Sequence, residues 1–226
     1  MGGSGGFPID IVLFAMIAAF LVLRLRSVLG KRQGFEQSAE PVEPVEAAFR
    51  PMAPTPAGPT IDGAAAAPPA RILPASASPA GQALARMIAV DRGFDAARFL
   101  DGAEGAFRII VTAFAAGDRA ALHPLLSEET WHAFEGAIAA REAAGETQRT
   151  EIRSIESAVI EQADLRGTIA DITVRLVSDQ INLTLGRDGL PVAGTDSVTE
   201  ITDLWTFERN LAAGDPTWRL VAARSA

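Results

Sequence analysis

Residues 167–183 read GTIADITVRLVSDQINL. Ala170, Ile172, Val174 and Leu176 alternate here with Asp171, Thr173 and Arg175. Successive side chains of a strand point to opposite faces, so the first set shares an apolar face and the second a polar one. Such a strand packs one face on a core and shows the other to water. Upstream, residues 150–164 face it across Leu165-Arg166-Gly167. Downstream, Gly186-Arg187-Asp188-Gly189 is a turn signal within a longer loop. Residues 197–211 then place Ile201, Trp205 and Phe207 on one face. Asp215-Pro216 makes the last turn, and Trp218-Arg219-Leu220-Val221 the last strand.

Before residue 150 the apolar spacing is helical. Leu84, Met87 and Ile88 form a short stripe over residues 81–90. Phe99, Ala103, Phe107, Ile110, Val111 and Phe114 recur at three and four, after Asp95 as a capping residue. Gly117 ends this helix, and Asp118 caps a short third one running to Leu126. Ser127 caps a fourth, with Glu128 and Glu129 in its first turn and Trp131, Phe134 and Ile138 along it, stopping near Gly145. Helices followed by four long antiparallel strands predict an α+β domain over residues 81–226. A curved sheet wrapped around its helices leaves a concave face. Phe107, Phe114, Trp205, Phe207 and Trp218 are the candidates to line it as a pocket or partner-binding surface. Leu84, Arg86, Met87 and Ile88 on the first helix either contact a membrane or partner, or cover the mouth of the sheet.

Residues 33–80 have a different composition. Ten of the chain's 14 prolines fall here and alanine fills most gaps. Proline this dense prevents helices and sheet ladders, and the segment buries too little apolar surface to offset its ordering entropy. It reads as a linker with a coil reach of roughly 40 Å.

Residues 1–32 hold an apolar run. From Ile11 to Leu23 no side chain is polar, and Arg24, Arg26, Lys31 and Arg32 follow. Residues 7–29 are long enough to cross a hydrocarbon core, which needs about 20 residues. No basic residue precedes the run and no Ala-x-Ala follows it, which argues against a cleaved signal peptide. Ile11, Phe14, Phe20 and Leu23 are the expected membrane-facing anchors, with Arg24 and Arg26 snorkelling at one end. All flanking positive charge lies after the run, so the positive-inside rule keeps the folded part cytoplasmic. The absence of cysteine excludes disulfides, thiol catalysis and Cys-ligated metal.

At this point the residues resemble a known family. The anchor DIVLFAMIAAFLVLRLRSVLGKR is similar to the N-terminus of bacterial, alphaproteobacterial, relatives of the mitochondrial Tim-forty-four presequence-translocase motor tether. The stretches FDAARFLDGAEGAFRIIVTAFAAGDRAALHPLLSEETWHAFEGAI and TDLWTFERNLAAGDPTWRLVAA resemble its domain. The resemblance implies a cone-shaped fold of the nuclear-transport-factor-two kind with an apolar pocket. It further implies a noncatalytic inner-membrane adaptor whose partner is a protein, such as a translocase or chaperone, or a lipid or acyl group. The chaperone-recruiting region of the mitochondrial relatives has no counterpart here, because residues 34–80 are rich in Pro and Ala.

The cone fold also hosts isomerase- and dehydratase-like enzymes, so catalysis is the alternative. The chain has no tyrosine, and His123 and His132 lack the spacing of metal ligands. No cofactor is expected. Asp203 shares a face with Ile201 and Trp205 and is the candidate general base. Asp171 is expected to point outward and pair with a residue such as Arg175. Nucleic acid is disfavoured: residues 81–226 hold 14 Arg and Lys against 22 Asp and Glu, a net charge of −8 (14 − 22). A local basic patch remains around Arg86, Arg92 and Arg98.

Overall fold

The computed structural model describes residues 69–226. Strand β1 spans Ala70–Ile72. Four helices follow: α1 (Pro79–Val90), α2 (Ala96–Ala116), α3 (Arg119–Leu122) with a 3-10 turn over His123–Leu125, and α4 (Glu128–Ala144). The chain closes with β2 (Thr147–Arg166), β3 (Ile169–Leu185), β4 (Pro191–Asn210) and β5 (Arg219–Ser225). The expected α+β class holds.

The helix ends lie where the capping residues place them. Asp95, Asp118 and Ser127 accept from the amides of Arg98, Ala121 and Thr130 at 2.8, 3.0 and 3.2 Å. Gly117 and Gly145 close α2 and α4 in the left-handed conformation. The first helix starts two residues earlier than its apolar stripe, because Ser78 caps it and Pro79 occupies its first turn.

The sheet runs in the order β1-β2-β3-β4-β5. It therefore has five strands, not four. The added strand comes from residues assigned by composition to the linker. Ala70–Ile72 pairs parallel with Ser157–Val159 on the β2 edge. Arg71 fixes it there. Its guanidinium donates to Glu104 at 2.9 and 3.3 Å and pairs with Asp101 at 2.9 Å, both on α2. Three exposed residues give no apolar period to read; the ion pairs that hold them lie 30 or more positions away in sequence.

The other pairings are antiparallel. Ala170, Ile172, Val174 and Leu176 are all fully buried, as alternation requires. Their partners across the sheet include Phe207, Trp205 and Asp203, which share the helix-facing side. The register of β2 on β3 shifts three times, between Ile152 and Ser154, Ile155 and Ser157, and Ile160 and Gln162. Each such bulge bends a strand and increases its twist. Helix α2 lays Phe99, Leu100, Ala103, Phe107 and Ile110 on this face.

Strand β4 starts six residues earlier than its apolar spacing suggests. Gly194 permits this: its φ is +79°, and a Cβ there would stand 2.1 Å from the Asn182 carbonyl oxygen of β3. Gly194→Ala is expected to destabilise the domain by about 1–3 kcal/mol from the left-handed backbone alone. Displacement of β3 adds to that. A chemical-denaturation midpoint unchanged from wild type would refute the close approach.

Among the described residues no helix is long and apolar enough to cross a membrane. The expected anchor, with Ile11, Phe14, Phe20, Leu23, Arg24 and Arg26, lies outside the described residues, as does the linker up to residue 68.

Candidate functional site

The five aromatics expected on one concave surface separate into three environments. Phe107 is fully buried and meets Trp205 edge-on at 4.8 Å; both are core. Phe114 packs on Phe134 of α4 at 5.0 Å, under the Arg141 guanidinium. Phe207 and Trp218 lie in a third environment, at a cleft. They line a cleft of about 310 Å³ together with Phe94, Phe99, Arg98 and Arg209. Phe99 is the hinge of the cluster: it meets Trp218 at 4.8 Å and Phe207 at 6.0 Å, both edge-on. Edge-to-face contacts at these separations orient rings as well as burying them.

The cleft forms where several segments converge, Leu125 of the 3-10 turn among them. The turn between α1 and α2 brings Gly93, Phe94 and Asp95; the first turns of α2 bring Arg98, Phe99, Gly102, Ala103 and Ala106; the ends of β4 and β5 bring Arg209 and Trp218. Phe99 was placed by helix period but not assigned to a cavity, and Phe94 was not singled out, because their joint position depends on the α1–α2 turn.

Gly102 and Gly105 sit mid-helix on the exposed side of α2, and a Cβ on either would meet nothing within 4 Å. Neither is required by packing within the described fold. Gly102→Ala and Gly105→Ala are each expected to stabilise the domain by about 0.5–1 kcal/mol, the helix-interior cost of glycine. A lowered thermal midpoint in either variant would show that the backbone is not an ordinary helix there.

On α1 the four expected contact residues divide. Leu84 and Met87 are buried in the core and so cannot touch a membrane in the folded domain. Arg86 is exposed and lies 3.8 Å from Asp164; Ile88 is 46% exposed. The helix packs on β2, so its stripe covers the sheet, and only its outer side is available.

Asp203 lies on the helix-facing side, opposite Leu176, and accepts from the Ser225 hydroxyl at 3.0 Å. It does not line the cleft. Asp171 points outward as expected, but its partner is Arg166 at 3.0 Å; Arg175 pairs with Glu161 instead. Beside it, burial first and Asp171 second hold Glu208 above the usual carboxylate range. His132 pairs with Glu128 one turn away on the surface, and His123 stands edge-on to Trp131. No cluster of metal-ligating side chains exists among the described residues.

One feature escaped the sequence reading. The core face of β3 turns polar beyond Leu176, with Ser178, Gln180 and Asn182 all buried. They form a chain of hydrogen bonds: Gln180 donates to Ser178 at 2.9 Å, Asn182 to Gln180 at 3.0 Å, and Thr150 to Asn182 at 2.6 Å. Gln148 links Thr150 to Arg141, which also donates to the carbonyls of Phe114 and Ala115 at 2.7 and 3.1 Å. Burial pushes the Arg141 guanidinium pKa down. These positions continue the inward face of Ala170 to Leu176, and their polarity is satisfied along β3 and by partners on β2 and α4.

Residues 80–225 match the Tim44-like domain family. A comparison with curated proteins finds no match. Among solved structures, the chain is similar to the intermembrane-space region of the chloroplast protein ARC6. The TM-score is 0.40 and the identity 10%, over 56% of this chain and 95% of that one. The family match covers all four helices and strands β2 to β5, and the chain belongs to the Tim44-like domain family.

Proposed function

We propose that this protein is a noncatalytic adaptor, held at the bacterial inner membrane by the apolar run over residues 7–29, with its domain on the cytoplasmic side. The domain binds a protein partner, in protein translocation or membrane-protein quality control. The observation that carries this reading is the aromatic cleft on an otherwise acidic domain, with an exposed Arg98 at its mouth that pairs with no carboxylate among the described residues. At about 310 Å³ it lies at the lower end of small-molecule pockets, about 300–1,000 Å³, and suits one or two side chains of a partner. An acyl group is the competing occupant. Anchoring confines the domain near the bilayer and raises its effective concentration toward membrane partners without any added contact.

The test is a photoreactive side chain at Ala106, which lines the cleft, in the full-length chain in its own membrane. A crosslink to one discrete protein that disappears with Arg98→Glu supports the adaptor. Crosslinks to lipid alone, or to many proteins irrespective of Arg98, overturn it.

A further inference from the structure

The charges around the cleft do not balance among the described residues. Its carboxylates are already engaged: Asp91 holds Arg209 at 3.1 Å, Asp95 caps α2 at 2.8 Å, and Asp101 takes Arg71 at 2.9 Å. Arg92 and Arg98 form no ion pair there, and Arg209 Nε is buried without a hydrogen-bond partner. The unmet groups are cationic, although residues 69–226 hold 15 Arg against 22 Asp and Glu. An aromatic cleft with cations at its mouth selects an apolar side chain flanked by carboxylates.

The chain itself carries such a segment. Residues 35–49 read FEQSAEPVEPVEAAF: four glutamates, no cation, and Phe49 at the end. Residues 50–69, which separate it from β1, add only Arg50 and Asp62 as charges. The point of entry is favourable as well. Arg71 grips Asp101 and Glu104, and these two flank Gly102 and Ala103 of the cleft wall. The chain thus joins the described fold within one helical turn of the cleft. Twenty intervening residues reach at most about 70 Å, ample to fold back over so short a separation.

We infer that residues 43–49 of the same chain dock in this cleft, Phe49 seated against Phe99 and Trp218, Glu43 and Glu46 facing Arg92 and Arg98. The docking is intramolecular, with an effective concentration in the millimolar range set by the short connection. An outside partner of the cleft then has to displace it.

The absence of cysteine makes a direct test possible. In the full-length protein in detergent, Ala48→Cys is paired with Gly102→Cys, a position with room for a side chain. The reference pair is Ala57→Cys with Gly102→Cys, which is nearer to the fold along the chain. A segment that does not dock crosslinks faster from position 57, because the shorter connection has the higher effective concentration. Docking reverses the order: the position-48 pair is expected to oxidise about tenfold faster or more. Arg98→Glu and about 1 M salt are each expected to erase that advantage. Equal rates, or a faster position-57 pair, overturn the inference. So does a crosslink that joins two chains, which would assign the segment to a neighbouring copy. Failure here leaves the cleft open to an outside partner, so it is distinguishable from failure of the adaptor reading.

Discussion

Phe107→Ala is expected to lower the unfolding free energy of the domain by about 3–5 kcal/mol, the usual cost of deleting a buried aromatic. The side chain has no exposed surface, and its ring meets Trp205 edge-on at 4.8 Å. Truncation removes the transfer energy of the ring and leaves a cavity between α2 and β4 that a rigid helix on a hydrogen-bonded sheet closes poorly. Domains of this size are stable by about 5–15 kcal/mol, so the loss is a large share of the total. Trp218→Ala is the informative contrast. Trp218 is half-buried and lines the cleft, so its truncation is expected to shift the denaturation midpoint less while removing the wall on which a ligand aromatic would rest. Denaturant unfolding of both variants checks this. A Phe107→Ala loss below about 1 kcal/mol would mean that the α2–sheet interface is not packed as described.

Arg141→Ala is the second large expected effect, about 2–4 kcal/mol, because it removes a donor from three part-buried acceptors at once. Arg141 donates to the Phe114 and Ala115 carbonyls at the end of α2, the first of which also accepts from the Gly117 amide at 3.2 Å, and to Gln148 on β2. It thereby ties the C-terminus of one helix to a second helix and to the sheet, where its charge also complements the negative end of the α2 dipole. The Phe114 ring lies 5.2 Å beneath the guanidinium. Arg141→Lys keeps the charge but has no planar fork to serve three acceptors, so it is expected to recover only part of the loss. Full recovery by lysine would show that charge at the helix end, not the hydrogen bonding, is what stabilises the junction.

The helices and long strands were legible because each signal is local. Asp95, Asp118 and Ser127 announce helix starts through bonds to amides three residues ahead, and Gly117 and Gly145 end helices through their own backbone angles. Ala170 to Leu176 alternate because their strand has one wet face and one dry face. The fifth strand and the early start of β4 were not legible. Residues 70–72 are exposed and bounded by prolines, and they are ordered by pairing with β2 and by Arg71 reaching α2. Of the aromatics that line the cleft, Phe207 and Trp218 were among the expected residues, whereas Phe94 and Phe99 were not.

Sequence alone determined the class of the fold, the capped starts of α2, α3 and α4 and the inward face of β3 from Ala170 to Leu176, since capping and periodicity act over a few neighbouring residues. Tertiary structure alone decided which aromatics became core and which became cleft. It also decided which carboxylates were taken up by Arg71 and Arg209, leaving Arg98 with no ion pair among the described residues. Those outcomes depend on side chains meeting across more than 30 positions, from Arg71 to Glu104 and from Asp91 to Arg209, where no short-range pattern carries the information.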